Sequence, residues 1–388
     1  MKKNIRAKKV ILTTLFNEFF KSEKSSGLIL LFCSAISIIL ANSLAGNSYV
    51  SLWHTHFLDK PLEFWINDGL MTVFFLLVGL EIEREIYIGE LSDLKKSLLP
   101  IFAALGGMVV PAIIHISFNN GTIYTTGFGI PMATDIAFSI GILSLLGSRV
   151  PASIKVFLTA LAIIDDLGAI VVIAIFYSSN FSVIYFALAL LIFILMVILN
   201  RTGFSKVSVY IALGIMLWIF LYLTGIHPTI TGVLLAFAIP FGNGDRDSSS
   251  YKLQHKLHKI VAYFILPLFA LANTAIIIPE SFVESLNNSN SYGIIFGLLA
   301  GKPVGIFAFS LLSVWLGLSS LPQDINTKQI FGIGLLAGIG FTMSIFITLL
   351  AFSDPVIVIN SKITVLLASL LAGFFGFFWL YFALPKKN

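Results

Sequence analysis

Two adjacent aspartates, Asp165 and Asp166, stand in the middle of an apolar run from 156 to 177. The run is long enough to cross a bilayer as a helix, because about 20 apolar residues span the hydrocarbon core. A carboxylate at the centre of a membrane helix costs roughly 2.5–3.5 kcal/mol on insertion scales. Neighbouring side chains on a helix point about 100° apart, so the two acids cannot share one lipid-facing side. We expect both to face the interior, where the pair would hold a proton, a cation or a buried positive side chain.

The composition indicates an all-α polytopic membrane protein. Of the 388 residues, 57% are hydrophobic and only 11% are charged, whereas a soluble domain carries about 25% charged residues. The net charge of +5 is explained by its location in the chain and is not a nucleic-acid signal. The single cysteine, Cys33, excludes a disulfide framework or a thiolate metal cluster within one chain.

Hydropathy predicts twelve transmembrane helices. They are 27–45, 64–80, 98–118, 123–146, 156–177, 181–199, 207–223, 226–241, 260–278, 292–318, 330–352 and 363–384. With the N-terminus in the cytoplasm, 21 of the 24 lysines and arginines fall on inner segments. Lys60 and Lys362 are then predicted in outer loops and Lys302 within a span. This bias predicts that both termini are cytoplasmic.

The domain organisation is predicted to be simple, because no loop is long enough for a soluble domain. Residues 1–26 are expected to form a cytoplasmic, basic N-terminal segment with a surface amphipathic helix. Residues 27–388 are expected to form a single twelve-span domain. The stretch 242–250, rich in Gly, Asp and Ser, is predicted to be a flexible cytoplasmic connection.

Two of the predicted spans are interrupted. The fourth contains GIPMATD (129–135), and the eleventh contains LLAGIGFTMS (335–344) with Gly338 and Gly340 near its centre. Each is the middle span of a three-span group, about 98–177 and 292–384, and the two groups run in opposite directions. Interrupted segments at matching places of inverted repeats indicate the binding site of a transporter. Non-helical backbone at this depth must be buried or face water.

Three polar residues of the interrupted and tenth spans are candidates for the site. Asp135 could compensate the exposed helix ends, bind an ion directly or simply cap a helix. Thr134 can offer an oxygen to a hard cation. Lys302 is the one lysine predicted at mid-depth, and we expect it to pair with Asp165 or with exposed carbonyl ends of the eleventh span.

Further candidates lie toward the membrane surfaces. Asp68, near the outer end of the second span, could belong to an ion pathway or cap a helix. Glu81 and Glu85 follow the same span on the cytoplasmic side, in a charge run that could be a solvated face or an acidic funnel attracting cations. His255 and His258, three residues apart before the ninth span, could sense pH, although a solvated face is favoured.

Two other histidines receive structural interpretations. His227, beside the turn marked by Gly225 and Pro228, is predicted at the outer surface. His115, in the third span, is predicted to be packed and hydrogen-bonded.

The sequence resembles the NhaA family of bacterial sodium/proton antiporters. The resembling stretches are WINDGLMTVFFLLVGLEIERE, AALGGMVVPA, GIPMATDIAFSIGILSLLGSRVP, FLTALAIIDDLGAI, VAYFILPLFALANTA, GKPVGI and GIGFTMSIFI. The resemblance implies twelve spans, inverted repeats crossing at the fourth and eleventh helices, and exchange of cytoplasmic Na⁺ or Li⁺ for external H⁺ across the bacterial inner membrane. It implies a homodimer in lipid that needs no cofactor and binds no nucleic acid.

The resemblance also assigns roles to individual residues. The cation-binding aspartate matches Asp166, and Asp165 matches the neighbour that pairs with the lysine matching Lys302. The charge-compensating acid and threonine match Asp135 and Thr134, and the funnel glutamate matches Glu81. Exchange of two protons per sodium would be electrogenic, and it would be pH-regulated.

Two features depart from the family pattern. Gln254 stands where relatives carry an acid before the histidine at the start of the ninth span. The loop 46–60 looks too short for the β-hairpin that helps some members dimerise. Both concern regulation and assembly rather than the exchange itself.

Competing functions make different demands on the aspartate pair. A passive cation channel would carry sodium without obligatory proton counter-movement. An intramembrane aspartyl protease also uses two aspartates, but from separate helices that face each other across the scissile bond. A retinal-binding pump would explain Lys302 but needs seven spans. The interpretation favoured here is competition between a cation and protons for one site.

Overall fold

A computed structural model describes residues 25–178, 181–242, 244, 248–280, 282–322 and 324–385. The surface helix predicted within residues 1–26 therefore lies almost wholly outside the described residues. The described chain is almost entirely helical. The longer helices, labelled in chain order, are α1 Ser25–Ala41, α2 Gly46–Trp53, α3 Leu62–Tyr87, α4 Leu94–Asn119, α5 Ile136–Leu145, α6 Ala152–Phe176, α7 Val183–Arg201, α8 Val207–Thr224, α9 Ile230–Ala238, α10 Ser249–Asn273, α11 Ser289–Trp315, α12 Thr327–Ala337, α13 Phe341–Ala351 and α14 Pro355–Ala383. A 3₁₀ segment, Thr125–Met132, precedes α5.

The helices have the lengths and composition of a multi-pass membrane protein. Within the described residues, nine helices are long and apolar enough to cross a bilayer. A tenth is counted if α12 and α13, which meet at 49°, form one span. Two predicted spans fall below this length: α1 is a shorter apolar helix, and α9 has nine residues.

The helices that contain the ninth and twelfth predicted spans begin before residues 260 and 363. Helix α10 begins at Ser249, and α14 begins at Pro355. Capping explains both starts: the Ser248 hydroxyl accepts from the Tyr251 N–H, and the Asp354 carboxylate accepts from the Val356 N–H. Lys362, predicted in an outer loop, consequently lies within α14.

The connection between α2 and α3 contains a β-hairpin, so the expectation that this loop is too short for one is wrong. Strand β1, His56–Phe57, pairs antiparallel with β2, Lys60–Pro61. The two-residue turn holds Leu58 and Asp59 at φ +50° and +60°. This backbone conformation is the one that closes a hairpin with the fewest residues.

The helices pack into two groups. The first helix group consists of α3 and α7 to α10, and the second consists of α4 to α6 and α11 to α14 with the 3₁₀ segment. The tightest crossing lies in the second group, where α4 meets α11 at Gly106 and Gly305. A Cβ built on either glycine would lie 2.1 Å from the carbonyl oxygen of the other. Only the hydrogen atoms of glycine fit there. This close approach sets the position of α11 against α4, and with it the position of Lys302, which precedes Gly305.

Enlarging this crossing should destabilise the protein. Gly305→Val forces α4 and α11 apart, and overpacking of this kind costs about 1–3 kcal/mol or more. The thermal unfolding midpoint in detergent should fall clearly. Ala308→Val, on the exposed side of the same helix, introduces the same side chain and should leave the midpoint nearly unchanged. Equal midpoints for the two variants would contradict the packing argument.

Candidate functional site

The two interrupted segments cross each other and are joined by hydrogen bonds. The Asp135 N–H donates to the Ile339 carbonyl over 2.7 Å. The Ser139 hydroxyl donates to the Leu336 carbonyl over 2.9 Å, and the Ser344 hydroxyl donates to the Ile130 carbonyl over 2.6 Å. Each interrupted segment therefore satisfies backbone groups that the break in the other segment leaves without helical partners.

Asp135 lies between the N-termini of two helices, α5 and α13. One carboxylate oxygen accepts from the Phe138 N–H over 2.9 Å, and the other accepts from the N–H and hydroxyl of Thr342 over 3.0 and 2.6 Å. Because helix N-termini carry partial positive charge, a buried carboxylate is stabilised at this position. Thr342 was not singled out from the sequence, although it lies two residues after Gly340, in the first turn of the helix that follows the glycine-rich break.

Lys302 contacts Asp165 and a backbone carbonyl, but that carbonyl belongs to the fourth span and not, as expected, to the eleventh. Its ammonium lies 2.9 Å from an oxygen of Asp165 and also donates to the Met132 carbonyl at the end of the 3₁₀ segment. Both charged side chains are fully buried. A π-helical turn, Gly297–Gly301, comes directly before Lys302. Such turns rotate the following side chains and occur mostly at functional sites.

Thr134 lies between the acid pair and the break in the eleventh span. Its hydroxyl is 2.7 Å from the same Asp165 oxygen and 3.0 Å from the Ala337 carbonyl. A hydroxyl has one proton to donate, so only one of these acceptors receives it at a time. The second Asp165 oxygen has no hydrogen-bond partner among the described residues.

Asp166 faces a cavity that Asp165 does not line. The cavity measures about 40 Å³, enough for about two or three water molecules. Asp135, Thr134 and Thr342 share its wall, and within the described part of the chain one Asp166 oxygen has no hydrogen-bond partner. The structure thus divides the pair: Asp165 faces the buried lysine and Asp166 faces the cavity.

The cavity offers oxygen atoms rather than a preformed metal site. Among the described residues, no group of three or more His, Cys, Asp and Glu side chains could together hold a metal ion. A cation beside Asp166 would therefore complete its shell with hydroxyl, carbonyl and water oxygens, which hard cations accept.

The cavity is also lined by Glu81 of α3 and by the partly exposed His258 of α10, whose Oε1 and Nδ1 atoms lie 3.6 Å apart. We call this part of the cavity its mouth. Glu81 and Glu83 are 7% and 5% exposed, so a solvated face is wrong for this part of the charge run. The reason is the early start of α10, whose first turns pack over the end of α3.

Two other candidates of this region do not line the cavity. Glu85 pairs with its neighbour Arg84 over 3.0 Å. His255 is exposed and stacks on Tyr251. Gln254 is buried within α10.

The remaining candidates lie away from the cavity. Asp68 is 3.8 Å from the half-buried His227, which therefore contacts α3 instead of lying free at the surface. His115 is fully buried and hydrogen-bonded to Asn290 over 3.1 Å, as predicted. Gly338 and Gly340 form the break itself, where a Cβ on Gly338 would lie 2.5 Å from the Leu298 carbonyl oxygen.

Comparison with known proteins gives matches along nearly the whole chain. The family model described as Na⁺/H⁺ antiporter 1 matches residues 17–380. A Na⁺/H⁺ antiporter NhaA of Flavobacterium psychrophilum is 56% identical over 375 residues, which cover 97% of this chain and 98% of the relative. The NhaA of Dechloromonas aromatica is 54% identical over 97% of this chain and 98% of its own length. That of Photorhabdus laumondii is 44% identical over 97% of this chain and 100% of its own length.

The extent of these matches agrees with the family expected from the motifs, and it includes all the residues that build the crossing and the cavity. Antiporters of this kind are membrane transporters rather than enzymes, and sodium and protons are their named substrates. This chain belongs to the NhaA family of Na⁺/H⁺ antiporters.

Proposed function

We propose that the protein exchanges cytoplasmic Na⁺ or Li⁺ for external H⁺ at a single site around Asp166 and Asp165. The observation that supports this most directly is the buried Asp166 carboxylate, which lines a small cavity and has one oxygen that bonds to none of the described residues. A buried carboxylate without a partner is costly. Binding a proton or a partly dehydrated cation removes that cost, and the two cannot occupy the same oxygen atoms together.

The other groups of the site suit this competition. Thr134 offers its hydroxyl oxygen to the cation. Asp135 neutralises the partial positive charge of two helix N-termini, which would otherwise repel the cation. Asp165 and Lys302 form an adjacent buried pair that can take up or release a second proton. Exchange of two protons for one sodium ion would then move one net charge per cycle.

The topology proposed for this function has twelve spans, with α1 and α9 as short members and both termini in the cytoplasm of a bacterial inner membrane. The reciprocal bonds of Ser139 and Ser344 support an inverted relation between the repeats 98–177 and 292–384. Each serine lies four residues after its break, and each donates to a carbonyl on the N-terminal side of the other break. The discontinuous fourth and eleventh spans are the crossing of these repeats.

We further propose that the antiporter works as a homodimer in lipid, with no resident cofactor and no nucleic-acid partner. The β-hairpin supports an interface on the outer side, since Phe57 and Leu58 at its tip are 57% and 71% exposed. Exposed apolar side chains on a short strand pair are suited to pairing with a second copy.

The alternatives fit the geometry less well. An aspartyl protease needs two carboxylates facing one bond, but Asp165 and Asp166 point in different directions and Asp165 is held by Lys302. A passive channel is distinguished by function, since it would pass sodium without moving protons.

Asp166→Asn should abolish exchange, because an amide neither binds a proton at working pH nor attracts a cation. In everted vesicles with a pH-sensitive dye, sodium added after acidification should release protons from the wild-type protein and not from the variant. In the wild type, the apparent KM for sodium should rise about tenfold per unit of falling pH in the acidic range, as expected for competition with one proton. Full exchange by the variant, or sodium flux without proton release, would refute the proposal.

Lys302→Met should destabilise the protein by about 3–5 kcal/mol, because it leaves the buried Asp165 carboxylate without its counter-charge. The double variant Lys302→Met/Asp165→Asn removes both charges and should recover most of the loss. Thermal unfolding in detergent measures this difference. A double variant no more stable than Lys302→Met would show that the ion pair is not the source of the effect.

The pH dependence of exchange should depend on His258 and not on His255. A protonated His258 binds Glu81 at the mouth of the cavity and opposes cation entry. His258→Gln should therefore shift the onset of activity toward acid pH, by about 0.5 to 1 unit. His255→Gln, on the exposed side of the same helix, serves as the control. Equal shifts in the two variants would contradict this assignment.

A further inference from the structure

A chain of three polar side chains joins the two helix groups, away from the cavity. The Lys362 ammonium, on α14 of the second group, donates to Asn273 Oδ1 over 3.1 Å. The Asn273 Nδ2 donates to Asn67 Oδ1 over 2.7 Å. Asn67 lies in a π-helical turn of α3, Trp65–Leu70. The first group is thereby hydrogen-bonded to the second through one lysine.

Asn273 is held in a defined orientation at the centre of this chain. It is 2% exposed and is the last residue of α10. Besides Asn67, its Nδ2 also donates to the Phe269 carbonyl over 3.1 Å, so the amide oxygen is left to accept from Lys362. The lysine also faces the C-terminal end of α10, where unpaired carbonyls carry partial negative charge.

Helix α10 connects these three hydrogen-bonded side chains to the mouth of the cavity. His258, near its start, lines the mouth together with Glu81. Asn273 ends the same helix about four turns later. The mouth of the cavity thus lies near one end of α10. At the other end, the hydrogen bonds of Lys362, Asn273 and Asn67 join the two helix groups.

We propose that Lys362, acting through Asn273 and Asn67, is an outer latch that holds the two helix groups together while Asp166 is open to the cytoplasm. This rests on the proposed function and on its topology, which places Asn273 on the outer side. Exposure of Asp166 to the outside requires the groups to separate there, so the latch must break in every cycle.

The chemistry of the latch suits repeated opening. The acceptor of Lys362 is a neutral amide, so no buried carboxylate is left unpaired when the bond breaks. Glu63, at the start of α3, is the carboxylate that attracts the lysine from the first group, and His54 is its neighbour at 3.4 Å.

A purely static role predicts different behaviour. If Lys362 only neutralises the end of α10, its loss lowers stability but leaves the outer side closed. Asn67 separates the two cases, because it contacts Asn273 and not the lysine. Breaking the Asn67 bond leaves the charge at the helix end in place but interrupts the latch.

The experiment uses a cysteine between the latch and the next contact of the two groups. Met71 lies four residues after Asn67, is fully buried, and precedes by four residues Phe75, whose ring packs on Phe346 of α13 at 5.4 Å. Met71→Cys, in a Cys33→Ser background, is treated with a membrane-impermeant maleimide in right-side-out vesicles. Labelling needs no transport, so its result does not depend on whether exchange occurs at Asp166.

Lys362→Met should speed labelling about tenfold, since a lost hydrogen bond to a charged donor shifts a two-state balance by that order. Lys362→Arg should restore slow labelling, and Asn67→Leu should speed it in the same direction. Lys60→Met, which removes another outer lysine that packs on the rings of Phe64 and Tyr222, is the matched control and should have no effect.

In transport, the same variants should raise the half-saturating cytoplasmic sodium concentration several-fold and lower the outer one, because the outward-open state gains population. Unchanged labelling in folded Lys362→Met and Asn67→Leu proteins would overturn the proposal. Equal acceleration by Lys60→Met would also overturn it. If Lys362→Met does not fold, Asn67→Leu alone decides.

Discussion

The structure depends on satisfying the backbone of two helices that stop in the middle of a membrane protein. Without water, each unpaired N–H or carbonyl at that depth costs several kcal/mol. Asp135 accepts hydrogen bonds from the N-termini of α5 and α13, and Lys302 donates to the end of the 3₁₀ segment. Two serine hydroxyls join the two interrupted segments to each other. The charged residues that hold the crossing together are therefore also those that create a polar site in an apolar surrounding.

The same constraint explains why two adjacent aspartates differ in their surroundings. The helical rotation between neighbours sends Asp165 toward α11, where a π-helical turn has brought Lys302, and sends Asp166 toward the cavity. The ammonium of Lys302 neutralises one carboxylate, and the other lines the cavity with one oxygen that has no hydrogen-bond partner among the described residues. An ion pair alone would make the site inert, and two unpaired acids would be too costly to bury.

The division into two helix groups gives the site its possible directions of access. Helix α10 is central to this arrangement, because its early turns cover Glu81 and Glu83 and its last residue reaches Lys362. Polar contacts at the two ends of one helix can respond to opposite movements of the groups. Coupling of the ends then requires only that the helix stay intact between them.

The sequence by itself determined the membrane class, the interrupted segments and the central acids, because a charge or a glycine run in an apolar span has few physical explanations. The motifs GIPMATD, IIDDLG and GKPVG single out Asp135, Asp166 and Lys302, and the structure brings all three to the crossing of the interrupted segments. Only the tertiary structure decided that Glu81 and His258 line the same cavity as Asp166, that Thr342 completes the cap of Asp135, and that Lys362 is partly buried within a helix. These facts depend on side-chain direction and on contacts between residues far apart in the chain, and local composition does not carry that information.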